Sequence, residues 1–239
     1  MNDLIHRNGR RLILCIALII CSAVIPASTL AAEVNVYAEG AYTETDLVLH
    51  IYADITSGAI LSFGVKVTYP ATELTYSSAT KNEAVWYMGD GTTNYPYMNP
   101  EDDGSNVVII GGKLDTADPT AGVTGTRVLL GTVTFTHSGT TDFSGVTLTY
   151  GRGDGSGAYK NFVETDGTVK DGEVTGFSVE IYERGDANAD GNITPADMIA
   201  IRNAYYGGAS LPSETAADCN ADGSITPADM ICIRNKYYN

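Results

Sequence analysis

The sequence has few basic residues, few cysteines and, beyond its first 24 residues, no long apolar run. Among 239 residues there are 14 Lys or Arg against 29 Asp or Glu, which gives a formal net charge of −15 at pH 7. We expect no binding to nucleic acid, because that requires a basic surface. We also expect no stable membrane span in the mature chain, because a spanning helix needs roughly 18 or more consecutive apolar residues.

The apolar run at the start of the chain indicates a secretory signal peptide. Arg7, Arg10 and Arg11 precede the apolar segment 12–24, and small residues follow it up to position 32. About thirteen apolar residues are too few to span a bilayer, but they are typical of a cleaved signal. We therefore predict that residues 1–32 are removed and that the protein is secreted, with any cell-surface association made through a partner.

Residues 33–182 are predicted to form an all-β domain. In the segment 62–69, Phe63, Val65 and Val67 alternate with small or polar residues. This period of two indicates a strand with one buried face. Five further segments show similar patterns, namely 46–54, 107–114, 127–137, 145–150 and 176–183. Six or more short strands favour a β-sandwich, here with jelly-roll-like connections.

Residues 186–206 and 218–238 are two copies of one sequence, 32 positions apart, with 17 of 21 aligned residues identical. An internal repeat of this kind is a structural unit used twice. Each copy has oxygen-bearing side chains at the first, third, fifth, seventh, ninth and twelfth positions and glycine at the sixth. That spacing is typical of a calcium-binding loop followed by a helix.

The predicted cofactor is Ca²⁺, with two ions, one in each loop. Calcium accepts six to eight oxygen donors in irregular geometry, whereas Mg²⁺ demands a strict octahedron and Zn²⁺ prefers Cys and His. The predicted ligands are Asp186, Asn188, Asp190, Asn192, Thr194 and Asp197 in the first copy, and Asp218, Asn220, Asp222, Ser224, Thr226 and Asp229 in the second. The seventh residue of each loop is expected to bind through its backbone carbonyl.

A helix is predicted after each loop, because a threonine N-cap is followed by a proline at the first helical position. One apolar stripe on each helix is expected to form the core of this segment. The stripes are Met198, Ile201 and Tyr205 in the first copy and Met230, Ile233 and Tyr237 in the second.

The arrangement of a loop and one helix, used twice, resembles a type I dockerin over residues 183–239. The resemblance is carried by the two D-x-N-x-D-G-x-I-T-x-x-D loops and by the lack of a convincing helix before either loop. It implies docking onto a cohesin-bearing protein in either of two orientations related by near two-fold symmetry. The residues implied to contact the cohesin are Pro195, Ala196, Arg202, Asn203, Pro227, Ala228, Arg234 and Asn235. The alternative interpretation is that these residues contact no partner: the prolines begin the helices, and the arginines are exposed to solvent.

Cys219 and Cys232 both lie in the second copy, where the first copy has Ala187 and Ala200. Two interpretations are open at this point. A local disulfide is favoured by the expected secretion of the protein, since oxidising compartments preserve disulfides. The alternative is a pair of small buried thiols.

The β domain resembles the cohesin family in the segments 60–79 and 127–137, although Tyr69-Pro70-Ala71 lacks the aspartate that is usual between the aromatic residue and the proline. This resemblance implies a second binding site, for dockerin-bearing proteins. The whole chain would then be a non-catalytic adaptor or scaffold in a cellulosome-like or cell-surface assembly linked to polysaccharide degradation.

Two alternatives for the β domain come from other functional classes. A carbohydrate-binding module would bind polysaccharide by stacking aromatic rings on sugar faces, and the candidate rings are Trp86, Tyr87, Tyr95 and Tyr97. A small glycoside hydrolase would need two carboxylates at a defined spatial separation, which a sequence does not show. His50 and His137 lie within strand patterns and no nucleophile is paired with them, so we expect no enzyme.

Overall fold

The computed structural model describes residues 34–86, 100–113, 121–152 and 160–238. The predicted signal peptide, residues 1–32, lies outside this part of the chain. The first part of the described chain is a β domain, and the last part consists of loops and helices. The strands are β1 Val34–Tyr42, β2 Asp46–Thr68, β3 Leu74–Lys81, β4 Glu101–Asp102, β5 Asn106–Gly112, β6 Val123–His137, β7 Thr147–Tyr150, β8 Val163–Glu164 and β9 Val174–Glu183.

The long strand β2 builds the architecture of the β domain. Its first half pairs with β1 and β6, and its second half pairs with β5, β7 and β8. Between the halves, residues 56–58 are exposed and Gly58 has a φ of 72°. The strand bends there and passes from one layer to the other, which is how strands turn the corner of a sandwich. The segments 46–54 and 62–69, predicted as two strands, are therefore parts of one.

The two layers enclose a single hydrophobic core. Leu47, Leu49 and Ile51 in the first half of β2 are fully buried, and so are Phe63 and Val65 in the second half. The alternation read from the sequence thus gives the correct inward face for both halves. The outermost strands of the first layer are β3 and β9, and β9 runs parallel to β1.

The C-terminal segment contains helices α1 Pro195–Gly207, α2 Glu214–Ala217 and α3 Pro227–Tyr238. The helices α1 and α3 contact each other. The prediction of a mainly β domain followed by a small helical one is confirmed. The one-turn helix α2 was not predicted, and it ends directly before the second loop. Among the described residues, none of the helices has the length and apolar character needed to cross a membrane.

One predicted sugar-stacking residue is contradicted by the fold. Trp86 has no exposed surface; its ring packs edge-on against Phe63, and its indole N–H donates to the carbonyl oxygen of Leu129 at 3.1 Å. A ring buried in this way cannot stack on a sugar, and its role is to fill the core. The other three candidates, Tyr87, Tyr95 and Tyr97, lie outside the described residues.

Candidate calcium loops and docking face

The first loop is closed by its own acidic and amide side chains. The carboxylate of Asp186 accepts hydrogen bonds from the backbone N–H groups of Asp190 at 3.0 Å and Gly191 at 2.9 Å. The carboxylate of Asp197 accepts from the N–H groups of Asn188 at 3.1 Å and Thr194 at 2.7 Å. The first and last residues of the loop therefore draw its backbone inward from both ends.

The second loop repeats this geometry. The carboxylate of Asp218 accepts from the backbone N–H groups of Asp222 at 3.1 Å and Gly223 at 2.8 Å. The carboxylate of Asp229 accepts from the N–H groups of Asn220 at 3.2 Å and Thr226 at 2.8 Å. Near-identical sequence thus yields near-identical loop structure.

Glycine occupies the sixth position of each loop because the backbone there has a positive φ. Gly191 and Gly223 both have a φ of 83°, and the alanines at the fourth position, Ala189 and Ala221, also lie in the left-handed region, with φ values of 56° and 58°. Glycine adopts positive φ without steric cost. The two left-handed residues in each loop produce the sharp turn that brings its two ends together.

The end of the first loop is also the start of helix α1. The side chain of Thr194 accepts a hydrogen bond from the N–H group of Ala196 at 3.1 Å, while Asp197 bonds back to the N–H group of Thr194, which completes a capping box. Such a cap contributes about 1 kcal/mol to helix stability. Asp197 is thus shared between the loop and the helix.

The donor set of each loop fits a hard cation. Asp197 and Asp229 are fully buried, and no ion pair with a basic residue holds either of them within the described residues. A buried carboxylate is costly unless it is paired or binds a metal. Burial raises the pKa of Asp186, and the neighbouring carboxylates of Asp197 and Asp190 raise it further.

Carboxylates are only part of each donor set. Among the described residues, histidine, cysteine, aspartate and glutamate side chains form no group of three or more that is placed to hold a metal ion by itself. In the first loop, the side-chain oxygen of Asn188 also faces inward and accepts from the N–H of Asp190 at 3.0 Å. Amide and backbone carbonyl oxygens are normal calcium ligands beside carboxylates.

The residues implied to contact a cohesin lie on exposed parts of α1 and α3. On α1, Pro195, Ala196, Arg202 and Asn203 are all exposed. On α3, Ala228, Arg234 and Asn235 are exposed, and Pro227 is half-buried. The two sets occupy equivalent positions in the two copies.

Two exposed apolar residues per helix share these surfaces, and the sequence interpretation did not include them. Ile199 and Tyr206 on α1 are 50% and 71% exposed, and Ile231 and Tyr238 on α3 are 53% and 72% exposed. Positions 195, 199, 202 and 206 follow helical spacing and line one side of α1. We call these residues and their counterparts on α3 the docking face of each helix. In the sequence, these residues could have been noticed as large apolar residues outside the predicted core stripe.

The predicted core stripe is correct for two of its three residues in each copy. Ile201 and Ile233 are fully buried, and Met198 and Met230 pack partly buried against the same cluster. Tyr205 and Tyr237, also expected in the core, are instead 51% and 47% exposed. They lie in the last turn of their helices, beyond the reach of the small core.

Cys219 and Cys232 form a disulfide in the structure, with a Cα–Cα distance of 5.9 Å. Cys219 belongs to the buried cluster that contains Ala187 and Ile201. The bond links the start of the second loop to the middle of α3. It therefore closes the second copy of the repeat, whereas the first copy has alanines at both positions.

Comparison with known proteins assigns the C-terminal segment to a family. The family model of the dockerin type I domain matches residues 184–236. The prediction of a type I dockerin in this segment is confirmed. No curated protein matches the chain.

Several solved cohesin structures are similar to part of the chain. They include the sixth cohesin of scaffoldin B from Acetivibrio cellulolyticus in complex with a dockerin, at 16% identity and a TM-score of 0.41, covering 62% of this chain and 97% of that one. A cohesin from Clostridium acetobutylicum has 14% identity, a TM-score of 0.41 and coverage of 64% and 92%. A non-cellulosomal cohesin from the archaeon Archaeoglobus fulgidus has 15% identity, a TM-score of 0.38 and coverage of 63% and 88%.

Proposed function

We propose that residues 183–239 bind two calcium ions and dock through α1 or α3 onto a cohesin-bearing protein. The chain is then a secreted, non-catalytic adaptor, with the cohesin-like β domain as a second binding site, in an assembly that degrades polysaccharide. The observation that supports this best is the duplicated docking face, exposed on both helices and identical in sequence. A surface that exists twice on one small domain is suited to binding a partner in two orientations.

Calcium in each loop would be held by the side chains predicted from the sequence, with the buried Asp197 and Asp229 as the final ligands. A bound ion supplies positive charge to a site that otherwise concentrates carboxylates. The aspartates also shape the backbone. Asp186 and Asp218 fix the turn of each loop by accepting from its backbone N–H groups. Asp197 and Asp229 connect the loop to the first turn of the helix. Calcium binding therefore stabilises the helices that carry the docking faces.

Each docking face has the composition of a protein interface. An isoleucine and a tyrosine provide apolar area, and an arginine provides directed hydrogen bonds; aromatic residues and arginine are enriched where proteins bind each other. On α1 the Arg202 guanidinium donates to the side-chain oxygen of Asn203 at 3.2 Å, and Arg234 donates to Asn235 on α3 at 3.1 Å. The same contact is thus made by the arginine of each face.

A binding experiment with charge substitutions tests the docking proposal. We expect Ile199→Asp or Ile231→Asp alone to leave binding to an immobilised cohesin within about threefold, because the other face remains, and the double variant to lose at least about a hundredfold. Val169→Asp, at an exposed apolar residue of the β domain, is the matched control. Unchanged binding by the double variant, in calcium, would refute the docking proposal.

Calorimetry tests the calcium proposal separately. Titration of calcium into the calcium-depleted full-length chain should show two ions bound. Asp197→Asn or Asp229→Asn should each reduce the number of bound ions to one. Replacing Asp186 and Asp218 together should abolish docking, whereas either replacement alone should be tolerated. Two ions bound by both single Asn variants would contradict the ligand assignment.

The β domain is tested against dockerins and polysaccharides in parallel. Pull-down with dockerin-bearing proteins is expected to succeed, and affinity electrophoresis on polysaccharide gels is expected to show no retardation. Retardation by a glycan without capture of any dockerin would reverse the assignment of this domain.

A further inference from the structure

The short helix α2 lies between the two copies of the repeat and is packed on the β domain. It contacts β1 and β9, and its residues Thr215, Ala216 and Ala217 are all buried. A helix of one turn is not stable by itself. Its structure therefore depends on the surfaces on which it is packed.

A polar cluster, buried at Glu39 and Thr215 and partly exposed at Arg127 and Glu214, joins α2 to the β domain, and we call it the junction. Arg127 on β6 forms a two-pronged ion pair with Glu39 on β1, in which one prong measures 2.9 Å. The same guanidinium lies 3.2 Å from the carboxylate of Glu214 on α2. Arg127 thus binds one carboxylate from each part of the chain, and its guanidinium also stacks 4.2 Å above the ring of Tyr52.

Thr215 provides the second link across the junction. Its hydroxyl lies 3.4 Å from the Glu39 carboxylate and 3.4 Å from Nδ1 of His50. Glu39 is only 6% exposed and Thr215 only 5% exposed. Hydrogen bonds to a buried carboxylate are stronger than those between neutral groups, and their loss leaves a costly unpaired charge.

Backbone contacts connect the junction to both calcium loops. The N–H of Arg184 donates to the carbonyl oxygen of Tyr42 at 2.8 Å, and the N–H of Gly185 donates to that of Ala216 at 2.8 Å. The Arg184 side chain donates to the carbonyl oxygen of Asp218 at 3.2 Å. The residues just before the first loop are therefore held by the β domain, by α2 and by the start of the second loop.

We propose that the junction is a fixed intramolecular interface through which the β domain and the calcium-binding segment stabilise each other. The contacts exist only when both parts are folded, so anything that stabilises one part stabilises the other. Calcium, bound at the loops proposed above, then raises the stability of the β domain. A break in the junction in turn weakens calcium binding. The docking faces of α1 and α3 remain exposed, so the junction does not compete with docking.

Thr215→Glu is the test variant, because it places a second carboxylate against Glu39. Thr147→Glu, at an exposed threonine of β7 whose cross-strand partner is the neutral Thr68, is the matched control. In calorimetric scans of the full chain with calcium, wild type and control should show one unfolding transition and Thr215→Glu two. The calcium affinity of the Thr215→Glu variant should be about tenfold lower than that of wild type. A single unchanged transition together with calcium affinity within twofold of wild type would overturn the proposal.

Hydrogen exchange gives a readout that needs neither calcium nor the charge variant. In the wild-type chain the amides of Arg184 and Gly185 should exchange at least about a hundredfold more slowly than in a free peptide. The milder Thr215→Val, which removes only the hydroxyl, should speed their exchange without unfolding either part. Exchange of these amides at free-peptide rates in wild type would refute the junction, whereas an absence of calcium binding would refute only the function proposed for the loops.

Discussion

Removal of the disulfide is the perturbation whose effect can be worked out most directly. The variant Cys219→Ala/Cys232→Ala gives the second copy the residues that the first copy already has at these positions, Ala187 and Ala200. The first copy, with its alanines, forms the same loop and a helix of similar length. The double variant should therefore fold, and its change in stability reports the cross-link.

The expected loss of stability follows from the length of the loop that the disulfide closes. The two cysteines are 13 positions apart, and a cross-link that closes a loop of about 15 residues stabilises the folded state by about 3 kcal/mol through the entropy of the unfolded chain. The Cα–Cα distance of 5.9 Å lies in the ordinary range for disulfides. Cys219 is a member of the buried cluster and Cys232 packs against it, so the double alanine variant also loses the packing of two sulfur atoms, which the reduced wild type keeps.

The assay is urea denaturation in saturating calcium, followed by the helical circular dichroism signal. Three samples are compared: oxidised wild type, reduced wild type and the double alanine variant. The last two should both be less stable than the first by about 3 kcal/mol, and reductant should not change the variant further. If reduction and the double substitution each cost less than about 1 kcal/mol, the chain-entropy argument is wrong for this segment.

The remaining predictions concern the core and the pH dependence. Ile201→Ala should cost about 2–4 kcal/mol in the free energy of unfolding, because it leaves a cavity in a fully buried cluster, whereas Ile199→Ala at the exposed docking face should cost under about 1 kcal/mol; urea denaturation compares the two directly. Burial lowers the pKa of His50, and the nearby charges of Arg127 and Arg184 lower it further. The unfolded chain then binds the proton more readily than the folded chain, so stability should fall as the pH drops below about 6.5. A His50→Gln variant should show a flatter melting-temperature profile between about pH 7 and pH 5, and an equally steep profile would contradict this assignment.

The calcium loops could be predicted in detail because their structure is local. Each loop is encoded in 12 consecutive residues, and every hydrogen bond that closes it spans nine residues or fewer. The glycine, the threonine N-cap and the proline each act on their own part of the backbone. The sequence pattern therefore specifies both the loop and the start of the helix.

Periodicity was less reliable for the ends of the helices. Tyr205 and Tyr237 share a stripe with Ile201 and Ile233, but a stripe does not show how far the opposing helix extends. The core of this segment ends before the last turn, which leaves the tyrosines half exposed. Ile199 lies outside the predicted stripe, but it was not identified as a docking residue because single apolar residues are common on protein surfaces.

The junction could not be predicted, because it joins residues that are far apart in sequence. Glu39 and Thr215 are 176 positions apart, and Glu39 and Arg127 are 88 apart. In the sequence Glu39 is one more polar residue of a strand, and no local pattern distinguishes a buried carboxylate from an exposed one. The segments 46–54 and 62–69 were predicted as two strands for a related reason, since alternation within each segment does not show that one strand continues through the bend at Gly58.

The four positions at which the two copies differ are all outside the docking faces. Two of them form the disulfide at Cys219 and Cys232, and the third, Ser224, is an exposed loop residue that replaces Asn192. The fourth is Lys236, which replaces Ala204 and donates to the carbonyl oxygen of Arg184 at 2.6 Å, beside the junction. The second copy thus differs from the first mainly where it is cross-linked or attached to the rest of the chain. The exposed apolar and arginine residues stay identical in both copies, although nothing in the core of the segment requires them, which is the pattern expected if one partner surface binds either face.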